Sequence, residues 1–165
     1  MTAEERLRAQ LLGSKVATVV VAGAGQAPVF GALLAEPRCT RAYHVEPDHA
    51  VYMAQAERYM GAGPEHDLRV LCIHGAAGER CCELAGQLRA PALWWLGPDA
   101  VPMQGATLGA VAAIAMAPER GHMVLLSKAR LAYEGVAVAH LLAVAQGWQV
   151  REVAHGVLEA RRALH

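Results

Sequence analysis

The chain contains no Asn, only three Asp (Asp48, Asp67, Asp99), two Ser (Ser14, Ser127), two Lys (Lys15, Lys128) and a single Phe. Few side chains are left to act as hydroxyl nucleophile, lysine base or hard-metal ligand. Excess charge is also lacking, since 15 basic and 15 acidic residues cancel. A general binder of nucleic acid or of an anionic membrane needs a basic excess, so both classes are excluded. Residues 1–8, Met-Thr-Ala-Glu-Glu-Arg-Leu-Arg, lack the basic-then-apolar order of a secretory signal. Four cysteines (Cys39, Cys72, Cys81, Cys82) without such a signal do not read as a disulfide framework. The expected location is cytoplasmic. Residues 16–35 hold no charge over twenty positions, enough to span a bilayer. Gly23, Gly25, Gln26 and Pro28 interrupt that stretch, which therefore reads as strand, glycine turn and helix, not as a membrane span.

What is present fits one compact core. The chain has 165 residues, 55% of them hydrophobic, and shows no repeat, linker or domain boundary, so residues 1–165 read as a single domain. Thr2 and Glu5 have capping-box spacing, and Leu7, Leu11 and Leu12 predict an opening helix over 1–13. Residues 16–21 are a β-branched run typical of a strand buried on both faces. A glycine turn at 23–27 follows, then a short helix over 29–36 with Pro28 at its start. Further strands are expected at 43–46, 68–73, 92–96 and 123–126, with a closing hairpin over 148–153 and 156–160. Helices are expected at 50–60, capped by Asp48, at 107–117 and at 136–146. Strands alternating with helices predict an α/β fold. It is a doubly wound, mostly parallel sheet with helices on both faces and a C-terminal antiparallel hairpin.

In such sheets ligands sit beyond the carboxyl ends of the strands, where strand order reverses. Gly23, Ala24, Gly25 and Gln26 follow the first strand, and glycines there let backbone approach a ligand. Glu46 and Pro47 end the second strand, and a carboxylate there can accept both hydroxyl hydrogen bonds of a ribose. These six residues form a candidate adenosine-type cofactor site. The same glycines also serve a turn that only packs helix against sheet. The third glycine of the dinucleotide fingerprint is absent, because Pro28 stands in its place.

Residues 19–26, Val-Val-Val-Ala-Gly-Ala-Gly-Gln, followed by 44–48, His-Val-Glu-Pro-Asp, resemble the first two motifs of class I S-adenosylmethionine-dependent methyltransferases, and the Glu-Pro-Asp form resembles FkbM-type members. Residues 92–97, 103–106, 123–135 and the pair Gly147-Trp148 are similar to later family elements in the same order. The resemblance covers most of residues 14–162. It implies a Rossmann-like fold, S-adenosylmethionine as cofactor and methylation of hydroxyl groups on small metabolites; separately, no metal is expected. It also exposes departures. Val21, Gly97 and Ser127 stand where the family usually carries acids, and Ala27 replaces the third turn glycine. Only Glu46 remains of four expected acids, although Asp99 lies close to Gly97. Acids at strand ends orient a cofactor and accept protons from a substrate hydroxyl.

The resulting expectation is a degenerate member of this family. It is a methyltransferase-like domain that has lost catalytic acids and serves as a non-catalytic interaction or accessory subunit. No catalytic residue is assigned. One alternative is an active O-methyltransferase on a small hydroxylated metabolite, acting by positioning its acceptor. A second is a nucleotide- or NAD-binding Rossmann module. The uncharged helix over 107–117 would meet a protein partner or a second copy. Trp94 or Trp95 could fill the cofactor pocket. Cys72, His74, Cys81 and Cys82 form a soft-ligand constellation whose spacing matches no zinc pattern, so buried thiols are the simpler reading.

Overall fold

The computed structural model describes residues 16–22, 30–31, 34–96, 106–127, 148–154 and 157–162. Its strands are β1 (Thr18–Ala22), β2 (Arg41–Glu46), β3 (Val70–His74), β4 (Ala92–Leu96), β5 (Met123–Ser127), β6 (Trp148–Ala154) and β7 (Val157–Arg162). They form one sheet in the order β3-β2-β1-β4-β5-β7-β6. The first five strands are parallel, while β7 runs antiparallel to both β5 and β6. The chain moves outward from β1 to β3, then returns to β1 and builds the other way through β4. Strand order thus reverses between β1 and β4. The expected doubly wound sheet with a C-terminal hairpin is the fold observed.

The central strands are apolar runs because both of their faces are covered. Val19, Val21, Ala42, Val70, Cys72, Leu93, Trp95, Met123 and Leu125 form one core layer. Val20, Ala22, Val45, Ala92, Trp94, Leu96 and Val124 belong to the layer on the opposite face. Helix α1 (His49–Met60) contributes Tyr52, Ala56 and Tyr59 to the first layer. Asp48 caps it, its Oδ1 accepting from the Val51 N–H at 3.0 Å, and Gly61 ends it. Residues 30, 31 and 34 are helical, in keeping with the short helix expected there. The expected helices over 1–13 and 136–146 and the glycine turn lie outside the described residues.

Several elements differ from expectation, β2 among them, which begins at Arg41, two residues earlier. Helix α2 (Ala77–Gln87) stands where no helix was foreseen. Its apolar residues Ala77, Cys81, Leu84 and Ala85 recur at helical spacing and enter the second core layer. Its start is silent in sequence, because Ala76 offers no capping side chain. Strand β3 begins at Val70, two residues later than expected, because Leu68 is exposed and belongs to the preceding turn. Helix α3 (Ala106–Ala115) packs against α2.

The outer edge of β3 is closed by side chains. The Cys72 N–H donates to Met60 Sδ at 3.3 Å, and Arg80 Nε donates to the His74 carbonyl at 3.2 Å. An edge strand blunted in this way is a poor template for further pairing. At the opposite end of the strands, Arg69 ties the residues that precede β2 to those that precede β3. Its Nη2 donates to the Leu34 carbonyl at 2.6 Å and to Asp67 Oδ2 at 2.7 Å, and its Nη1 donates to the Cys39 carbonyl at 3.0 Å.

Candidate functional site

Glu46 and Pro47 lie at the carboxyl end of β2, beside the point where strand order reverses. Glu46 is 1% exposed. Its Oε1 accepts from the Asp48 N–H at 3.0 Å, so the carboxylate bonds to the turn that it begins. Pro47, which has no N–H of its own, sits between the two. The Glu46 carbonyl accepts from the Gly75 N–H at 3.2 Å, which joins the ends of β2 and β3. Gly75 has φ +149, a conformation that side chains rarely adopt, and a Cβ there would strike the Arg80 side chain.

Below Glu46 the face is apolar. Val21, where the resemblance expects an acid, is fully buried and level with His44 on β2 and Trp95 on β4. Phe30 stacks on the His44 ring at 5.0 Å and meets Tyr59 edge-on at 5.3 Å. An acid at position 21 would enter the same layer as Val19, Phe30 and Trp95. His44 is fully buried too, and burial pushes its pKa down to about 4, so its imidazole is neutral at pH 7. Neither of its ring nitrogens has a hydrogen-bond partner among the described residues. Its Nε2 lies 3.8 Å from Glu46 Oε2.

Toward solvent the site carries rings. His74, level with Glu46 on β3, stacks on Tyr52 at 5.2 Å and meets His49 edge-on at 5.0 Å. Sequence reasoning passed over His44, His49, Tyr52 and Gly75 as site residues. One signal was available for His44, since residues two apart on a strand share a face and His44 thus lies under Glu46. Nothing local marks Gly75, whose role depends on a contact with β2.

Trp94 and Trp95 are core residues. Trp94 lies in the layer opposite Glu46, edge-on to His122 at 5.5 Å, and His122 Nδ1 accepts from the Ala92 N–H at 3.0 Å. Trp95 shares the face of Glu46 but sits one residue short of the end of β4, fully buried among Val21, Phe30 and Leu125. The cysteine constellation does not assemble. Cys72 belongs to the first core layer, whereas Cys81 on α2 belongs to the second, with the sheet between them. Burial pushes both thiols up, Cys72 to about 11 and Cys81 to about 12, which keeps them protonated. Among the described residues no group of three or more His, Cys, Asp or Glu side chains comes together to hold a metal ion. Nor is any described helix long and apolar enough to cross a membrane.

Gly23, Ala24, Gly25 and Gln26 lie outside the described residues, as do Gly97 and Asp99. The expected cofactor cradle is thus represented by Glu46 and Pro47. Glu46 is buried, with one oxygen bonded to its own turn.

No protein-family model matches the chain, and no curated protein matches it in sequence. Solved structures do match in shape. The methyltransferase domain of a bacterial CtHen1 superposes with a TM-score of 0.63 at 11% identity, over 98% of this chain and 97% of that one. A methyltransferase from Geobacter sulfurreducens gives 0.67 at 16% identity, over 98% and 78%. A precorrin-6y C5,15-methyltransferase from Geobacter metallireducens gives 0.64 at 12% identity, over 96% and 87%. At these identities the likeness is one of fold. The chain has the Rossmann-like fold of the methyltransferases.

Proposed function

We propose that this chain is a degenerate methyltransferase-fold domain, FkbM-like in its second motif, that serves as a non-catalytic accessory or interaction subunit. The observation that carries the reading is the state of Glu46. It is the one acid that the family resemblance retains, and it is buried and bonded to the Asp48 N–H. Val21 supports the same reading, because an acid position has become part of the apolar layer under the site. A methyltransferase needs groups that open toward cofactor and acceptor, and these two positions face inward. The partner is a protein or a second copy of the chain, in the cytoplasm. Helix α3 lends this less support than its composition suggested, since α2 already packs against it.

The test is transfer of an isotope-labelled methyl group from S-adenosylmethionine to the small molecules of a cell extract. The purified chain is expected to transfer no label above the level of a boiled control. Label on a hydroxylated metabolite would overturn the reading in favour of an active O-methyltransferase.

A further inference from the structure

The pairing of His44 with Glu46 goes beyond that reading and does not depend on it. His44 and Glu46 are two residues apart on β2 and share a face, and both are buried. Val21 on β1 and Cys72 on β3 flank His44 in register, and Phe30 covers its ring. A buried imidazole without a hydrogen bond is costly, so an unpartnered one in the core calls for a reason. Among the described residues, the charged group beside it is the Glu46 carboxylate, with 3.8 Å between Nε2 and Oε2. That separation is too long for a hydrogen bond and too short for an intervening water. A hydrogen bond between them requires an approach to about 2.8 Å.

We propose that His44 is a positioning residue for Glu46: its neutral ring carries the proton on Nε2, donates it to Oε2, and latches the carboxylate inward. Oε1 is already held by the Asp48 N–H. With both oxygens engaged from the protein side, a ligand hydroxyl must displace the His44 bond before it can reach the acid. The pair thus sets whether the end of β2 offers a hydrogen-bond acceptor to a ribose-like diol.

Two measurements on the full chain test this. The first is nitrogen-15 NMR of the His44 ring at pH 7. The expected tautomer has the proton on Nε2, with its resonance shifted downfield by a carboxylate acceptor. That downfield position is lost in Glu46→Leu and reduced in Glu46→Gln, a milder variant that preserves shape. A proton on Nδ1, or an Nε2–H resonance indifferent to both variants, overturns the proposal. The second is calorimetric titration with adenosine as the diol probe. His44→Leu, which cannot latch, is expected to bind at least about tenfold more tightly than the parent. His44→Gln, which keeps a donor, is expected to bind like the parent. Equal affinity of parent and His44→Leu, or no binding by either, overturns the latch. A purely structural histidine would move neither the tautomer nor the difference between the Leu and Gln variants.

Discussion

Single residues far apart carry two different burdens in this molecule. Arg69 is a staple at the amino ends of the strands. Its guanidinium satisfies the carbonyls of Leu34 and Cys39 and both oxygens of Asp67. Replacing it with Met keeps the stem but leaves those carbonyls unmet, and Arg69→Met is expected to cost about 2 kcal/mol in urea unfolding. An unchanged unfolding midpoint would contradict that role. His44 acts through pH. Burial holds its folded-state pKa at about 4, below the ordinary 6.5. As pH falls below 6.5 the unfolded chain takes up a proton that the folded chain refuses. Stability is therefore whole above the ordinary value and lost between it and about 4. Between pH 7 and pH 5 the parent should lose more stability than His44→Leu, since burial disfavours the imidazolium in the folded state alone. His122, also pushed down by burial, is present in both proteins and drops out of the comparison. Equal losses in the two would show that His44 is not held neutral by the fold.

Elements were legible in sequence where their signals were local. The β-branched run at β1, the Asp48 cap and Gly61 stop of α1, and the uncharged run of α3 each announce themselves without reference to the rest of the chain. Helix α2 does not. It has two glycines, no capping side chain and two adjacent cysteines, which drew attention toward metal chemistry instead of helical spacing. Its existence depends on tertiary burial of Ala77, Cys81, Leu84 and Ala85 between the sheet and α3. Leu84→Ala is accordingly expected to cost about 2–4 kcal/mol, the usual penalty for emptying a core leucine site. Cys82→Ser, on the exposed side of the same helix, should stay within about 0.5 kcal/mol of the parent. Equilibrium unfolding of both variants checks the pair, and a Cys82→Ser loss as large as that of Leu84→Ala would contradict this account of α2.

At the scale of the whole molecule, the order of strands and helices in the sequence was enough to foresee a doubly wound sheet and its closing hairpin. The position of Glu46 at a strand end beside the switch point was legible too. Its burial was not, because that depends on Phe30, His44 and the β2–β3 junction meeting in space. The fold is kept while its acid turns inward, and fold alone never decides activity. The most direct test is calorimetric titration of the purified chain with S-adenosylmethionine and S-adenosylhomocysteine, with Glu46→Ala beside it. A buried Glu46 predicts no saturable heat from the parent at millimolar ligand, and no difference between the parent and Glu46→Ala. Micromolar binding by the parent that disappears in Glu46→Ala would contradict it.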